Sequence, residues 1–143
     1  MENRHGLVVD AGVTQATGTA EREVAVDLVD ALGGTQRITL GVDKNYDTKG
    51  FVKELREMTV TPHVSQNDTH RPSAIDGRTT CHSGYTTSQM IRKRIEECFG
   101  WAKTNGGLRK CRFIGREKLD FQFVLTFAAY NLIRMRNLKG VSC

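Results

Sequence analysis

Long hydrophobic runs are missing from this 143-residue chain. The longest apolar stretch, Phe123 to Ile133, is too short to cross a bilayer and ends at Arg134, so it reads as a buried helix. The opening MENRHGLVVD is charged and lacks the apolar core of a secretory signal, so none is expected there. Paired cysteines are missing too. Cys81, Cys98, Cys111 and Cys143 form no CxxC pair, and His63 and His70 stand at no motif distance from Cys81 and His82. That spacing speaks against a zinc site and for reduced thiols. No internal repeat or low-complexity tract interrupts the chain. At this length the expectation is one domain, spanning residues 1–143, with a hydrophobic core of its own.

Charge is present but unevenly placed. The net charge is +5. Residues 1–60 carry seven Lys and Arg against ten Asp and Glu, whereas residues 61–143 carry fourteen against six. A positive field concentrated in one half favours a polyanionic partner such as nucleic acid.

Periodicity organises the acidic half. Leu7 to Val9 reads as a strand that Asp10 ends. Thr19 reads as a helix N-cap with Glu21 and Glu23 in the first turn, the helix burying Val24, Leu28, Val29 and Leu32 and stopping at Gly33 and Gly34. Arg37 to Asp43 is rich in β-formers and ends in an acid. A second helix, capped by Asp47, sets Phe51, Val52, Leu55 and Met58 on one face. Val60 to Val64 is a short strand that Pro62 pushes towards a sheet edge. Strand, helix, strand, helix, strand is the pattern of an α/β domain. Ser65 to Gly84 is polar and aperiodic, a connection long enough to be functional or disordered. Two helices follow, at about Thr87–Lys103 and about Leu119–Lys139, the last apolar nearly all round and so expected to pack on several sides.

The candidate chemistry lies on the first of these two helices. At about 100° per residue, Glu96 falls near 40° and Lys103 near 20° from Arg92, beside the apolar arc of Ile91, Ile95, Cys98, Phe99 and Ala102. Glu97 falls near 140°, on the far side. An Arg92–Glu96 ion pair one turn apart is the plain structural explanation of that stripe. Asp43 supplies a second acid beyond the carboxyl end of a strand, where ligands of α/β sheets gather. Two such carboxylates offer hard oxygen ligands to a divalent cation, and a pair of cations about 4 Å apart suits phosphodiester cleavage. Further cations follow at Arg109, Lys110, Arg112, Arg116 and Lys118, with Trp101 and Phe113 among them. Gly106 and Gly107 mark a turn able to bring backbone amides to a phosphate. Arg71 and Arg78 would either extend this track into the polar stretch or belong to a disordered loop.

The segments TLGVDKNYDTKGFVKELREMTVTPHVSQN, SAIDGRTT and RKRIEECFGWAKTNGGLRKCRFIG, in this order, resemble the C-terminal part of bacterial insertion-sequence DDE transposases of the four/five superfamily. The resemblance extends over essentially the whole chain. It implies an RNase H-like α/β fold, a mixed sheet with flanking helices, incomplete at the N-terminus. It also implies magnesium- or manganese-dependent cleavage and transfer of DNA strands by a two-metal site of three acids.

The family's second acid, just after a strand, corresponds to Asp43 in DKNY. Its signature Y-x2-R-x3-E-x6-K selects Arg92, Glu96 and Lys103, with Gln89 where the tyrosine stands. The resemblance thus makes Asp43 and Glu96 the metal ligands and Arg92 and Lys103 the contacts to DNA phosphates, and the basic run adds Arg94, Arg109, Lys110 and Arg112 as expected contacts to double-stranded DNA at transposon ends. The first acid lies on an earlier strand, in a VDGT-like context absent from these residues. Asp10 matches a later strand, although a stand-alone nuclease on the same fold would require it as a ligand. The expectation is therefore a C-terminal fragment, inactive alone, that works with an N-terminal transposase piece or as a homodimer. Its expected place is the bacterial cytoplasm at the nucleoid, with no membrane association. A non-catalytic DNA-binding remnant is the alternative.

Overall fold

The structure, a computed structural model, describes residues 1–34, 36–69 and 71–139. His70 and Cys143, considered above as ligands, lie outside them. The elements run α1 (Ala20–Leu32), β1 (Ile38–Val42), a 3-10 turn (Lys44–Tyr46), α2 (Lys49–Glu57), β2 (Val60–Val64), α3 (Gly77–Thr80), α4 (Ser83–Ile91), α5 (Arg94–Thr104) and α6 (Arg116–Lys139). They form two compact units, Thr17–Arg92 and Met1–Ala16 with Lys93 onward.

In the Thr17–Arg92 unit, β1 and β2 pair in parallel, from Ile38 opposite Val60 to Val42 opposite Val64. Parallel neighbours need a crossover, and α2 supplies it. Its apolar spacing buries Phe51, Val52 and Leu55, while Lys53 and Glu57 pair on the outer face. These side chains join Val29, Val60, Val64 and Ile75 in one core, in which Leu55 and Val64 are fully buried. Complete burial of a leucine contributes about 1.5–3 kcal/mol. The helix α1 packs on α2, and α4 lies against both strands.

In the other unit, α5 packs on α6 around Cys98, Ala102 and Phe127. Phe127 meets Phe123 and Phe99 edge-on, with centroids 4.7 Å and 5.5 Å apart. Trp101 meets Tyr130 in the same manner at 5.6 Å.

Several expectations change. Residues 7–9 form no strand. Val8 instead exchanges both its backbone groups with the Asn131 carboxamide, donating to Oδ1 and accepting from Nδ2 at 2.8 Å each. A side chain thus takes the place of a neighbouring strand. Among the described residues the sheet has two strands, both parallel. Thr19 occupies the N-cap of α1 without a side-chain bond, and Thr17 Oγ1 accepts the Ala20 N–H. Of the expected core positions on α1 only Val29 is buried, and Leu32 is exposed. The cap of α2 is Thr48, whose hydroxyl accepts the Phe51 N–H, and not Asp47.

The polar stretch contains the short helix α3 and the start of α4. The single helix expected from about Thr87 to Lys103 is two helices, broken at Arg92 and Lys93. The last helix buries only Thr126 and Phe127, and leaves Phe121 (70% exposed) and Leu132 (67%) open rather than packing on several sides.

Candidate functional site

The strand β1 ends at Asp43, and the next residues turn at once. Asp43 Oδ1 accepts the Asn45 N–H at 2.8 Å and so caps the Lys44–Tyr46 turn. That is a structural task the sequence reading did not assign to it. The other carboxylate oxygen has no hydrogen-bond partner among the described residues. The Asn45 carbonyl in turn accepts from Arg22 Nη1 at 3.3 Å, and Arg22 Nη2 reaches the Gly18 carbonyl at 3.1 Å. The turn is therefore held from outside by α1.

Its far end is held more firmly. Asp47 is buried, and its carboxylate accepts two backbone N–H groups, from Asn67 and Ala74, at 2.8 Å each. Arg71 donates to the Asp47 carbonyl. The polar stretch after β2 is thus laced onto the Asp43–Asp47 turn. Sequence reasoning missed this, because DT offers two adjacent capping residues and the partners of Asp47 lie 20 and 27 residues away.

The residue in the tyrosine position of the signature also has a defined role. Gln89 Nε2 donates to the His63 carbonyl at 2.6 Å, and Gln89 Oε1 accepts from Arg92 Nε at 2.8 Å. Arg92 is therefore oriented by Gln89 at the end of α4. Tyr85, one turn earlier, donates its hydroxyl to the Val64 carbonyl at 2.9 Å. Burial pushes the Tyr85 phenol above its ordinary value, with the Asp47 carboxylate adding to it. Ser88 faces β1 so closely that a Cβ on Gly41 would meet its Oγ at 2.8 Å. Ser88 Oγ and His63 Nδ1 are buried without hydrogen-bond partners among the described residues. Burial lowers the His63 imidazole, and the neighbouring His82 lowers it further.

In the other unit, Glu96 and Glu97 both occupy the first turn of α5, where the helix dipole favours acids. Both are exposed. The two still differ in their surroundings, since Glu97 is near enough to Tyr130 to help burial raise that phenol. The break at Arg92 and Lys93 takes Arg92 off the helix that carries Glu96 and Lys103, so the shared stripe holds for Glu96 and Lys103 alone. Lys103 is exposed in the last turn of α5, and Arg109, Lys110 and Arg112 are exposed in the following loop. Arg94 donates to the Asn3 carbonyl at 3.0 Å.

Among the described residues, none of these six cations makes an ion pair; the four ion pairs lie elsewhere. Arg78 does pair, through two nitrogens, with Asp76. Its guanidinium holds the Asp76 carboxyl below the usual range. Gly106 donates its N–H to the Trp101 carbonyl, so this amide is not open to a phosphate.

Asp43 offers one unengaged oxygen, and the Glu96 carboxylate accepts no hydrogen bond among the described residues. Each carboxylate thus has a hard oxygen of the kind a divalent cation takes, Asp43 in one unit and Glu96 in the other. Asp10 is exposed and accepts the N–H of its neighbour Ala11 at 2.7 Å. Among the described residues, no three His, Cys, Asp or Glu side chains gather in a way that could hold a metal ion. No helix among them is long and apolar enough to cross a membrane.

The model of one protein family, described as the transposase DDE domain, matches residues 1–132. No curated protein and no solved structure matches the chain.

Proposed function

The chain belongs to the transposase DDE domain family, and from that premise we propose that it serves metal-dependent cleavage and transfer of DNA strands in insertion-sequence transposition. The family match over residues 1–132 carries this reading. Within the family we place it in the insertion-sequence four/five superfamily, as the C-terminal part of an RNase H-like catalytic domain extending over residues 1–143. Its expected location is the bacterial cytoplasm, at the nucleoid.

Asp43 and Glu96 would hold magnesium or manganese, each through oxygens that other groups leave available. Bound there, the cations supply activation of a water or hydroxyl and stabilisation of the leaving oxygen. The capping bond to Asn45 fixes the Asp43 rotamer before any ligand arrives, which lowers the cost of ordering it. Glu96 sits in a first helical turn, where its ionised form is favoured. Arg92, oriented by Gln89, and Lys103, Arg94, Arg109, Lys110 and Arg112 would meet the phosphates of a transposon end. Among the described residues they have no carboxylate partner, which supports this assignment.

Asp43 and Glu96 are two of the three acids that the chemistry uses. These 143 residues alone would bind DNA and metal without cutting, and would cut with a polypeptide that supplies the remaining acid, an N-terminal transposase piece or a second copy. The test is a nicking assay on end-sequence DNA with magnesium. The isolated chain should leave the DNA intact, and adding the complementing polypeptide should produce nicks that Glu96→Gln abolishes. Metal-dependent nicking by the chain alone would contradict the need for a complementing acid. Nicking that persists in the mixture with Glu96→Gln would instead favour a DNA-binding role without catalysis for this chain.

A further inference from the structure

The Thr17–Arg92 unit contains a cleft of about 450 Å³ that none of the assignments above uses. Arg22, Lys44 and Arg71 line it, together with the amides of Asn45 and Asn67 and one acid, Glu21. Three cations against one carboxylate leave it positive. Among the described residues none of the three cations forms an ion pair.

The two arginines are not free to wander. Arg22 spends one nitrogen on the Asn45 carbonyl and another on the Gly18 carbonyl, and Arg71 spends one on the Asp47 carbonyl. A guanidinium has five N–H donors in a fixed fork, so donors remain on each while the head is held in place. Lys44 is exposed and its side chain makes no hydrogen bond or ion pair among the described residues, so its ammonium is available without rearrangement. The Asn67 Oδ1 accepts from Thr69 Oγ1, which leaves the Asn67 NH2 group as a donor. Arg22, Lys44, Arg71 and the Asn67 NH2 group thus offer donors to the cleft, the arrangement that suits an oxyanion with several acceptor oxygens.

We propose that this cleft is a phosphate-binding subsite that takes one phosphate group of a DNA strand, held by Arg22, Lys44 and Arg71. It rests on the DNA-acting reading only for the identity of the phosphate's owner. Its position gives it a further consequence. Lys44 follows Asp43 directly, and Arg22 donates to the carbonyl of Asn45, the residue whose N–H the Asp43 carboxylate accepts. A phosphate in the cleft therefore bears on the Asp43 turn, and the same contacts that bind the strand would steady the candidate metal ligand.

The experiment is a titration of duplex DNA by the whole chain, followed by fluorescence anisotropy in chelator across a series of salt concentrations. Lys44→Gln should weaken binding about three- to ten-fold and lessen the slope of log K on log salt by about one, the contribution of one phosphate. Arg22→Gln should do the same, and Lys53→Gln, a cation paired with Glu57 outside the cleft, should change neither. Arg22 also has a structural bond to lose, and Lys44→Gln tests the cleft without that complication.

Running each titration on duplexes with and without a 5′-phosphate separates the two sources. A loss seen equally on both assigns an internal phosphodiester, and a loss confined to the phosphorylated duplex assigns a strand end. In parallel, inorganic phosphate should raise the thermal midpoint of the wild-type chain more than that of Lys44→Gln. That second arm stands even if the chain proves not to bind DNA, so failure of the DNA reading and failure of the cleft give different results. Wild-type affinity and slope in Lys44→Gln, with the same phosphate response as wild type, would overturn the proposal.

Discussion

The Asp47 carboxylate accepts the backbone N–H of Ala74 at 2.8 Å, joining residues 27 apart in the chain. Its second oxygen does the same for Asn67, and the side chain is 1% exposed. One buried acid thus ties down residues 65–69 and 71–76, which form no helix or strand. Hydrogen bonds to a charged group contribute about 1.5–3 kcal/mol each, and this carboxylate accepts two. Asp47→Ala should therefore destabilise the chain by roughly 3–5 kcal/mol, whereas Asp68→Ala, an exposed neighbour, should cost under about 0.5 kcal/mol. Urea unfolding compares the two, and equal midpoints would refute the clamp.

That clamp also marks where the sequence was legible and where it was not. The spacing of Phe51, Val52 and Leu55 announces α2, and the β-rich runs at Ile38–Val42 and Val60–Val64 announce both strands, because local periodicity alone fixes which face is buried. The acid at the end of β1 was legible for the same reason. The strand expected at Leu7–Val9 was not realised, since its pairing depends on a carboxamide 123 residues away. Likewise the break at Arg92 and Lys93 leaves both residues with helical dihedrals, so no proline or glycine signals it. Whatever was decided by contacts distant in sequence stayed hidden.

The two adjacent glutamates give a sharp contrast. Glu96 is proposed as a metal ligand, while Glu97 is an exposed residue of the same first turn. Manganese binding by the whole chain, read by calorimetry, should weaken at least about ten-fold in Glu96→Gln and in Asp43→Asn. Glu97→Gln should change it by less than about two-fold. Equal losses at positions 96 and 97 would remove the distinction that selects Glu96.

The loop after α5 offers a test of the DNA surface outside the metal site. Arg109, Lys110 and Arg112 are exposed and unpaired among the described residues. If each neutralises one phosphate, changing all three to Gln should lower the slope of log K on log salt by about 2.7. The change should be insensitive to Glu96→Gln. A triple variant with an unaltered salt dependence would show that these side chains are only a solvated loop.

His63 predicts a pH dependence of stability with a definite sign. Burial lowers its imidazole from the ordinary 6.5, with His82 adding to the effect, and its Nδ1 lacks a partner among the described residues. As pH falls through 6.5, the unfolded chain takes up a proton that the folded chain still refuses. Stability should therefore decline from that point until the lowered folded value is reached, and level off below it. His63→Phe keeps a ring beside Tyr85, which His63 meets edge-on at 5.6 Å. Urea midpoints measured across this window should show a shallower decline in the variant, and identical slopes would assign the effect elsewhere.

Two glycines of the α5 region should respond in opposite directions to the same substitution. A Cβ on Gly106 would lie 2.3 Å from Thr126 Cγ2 and 2.7 Å from the Ala102 carbonyl oxygen. The second of these is backbone and cannot turn aside, so Gly106→Ala should cost about 1–3 kcal/mol or more through forced separation of α5 and α6. Gly100 lies inside α5 with no atom within 4 Å of the position its Cβ would take. Gly100→Ala should raise stability by about 0.5–1 kcal/mol, because alanine loses less backbone freedom on entering the helix. Adding Thr126→Ser to Gly106→Ala removes the nearer of the two clashes and should restore part of the loss. Thermal unfolding of the four chains decides the matter: a Gly106→Ala variant as stable as Gly100→Ala would mean that α5 and α6 do not pack at the distance described.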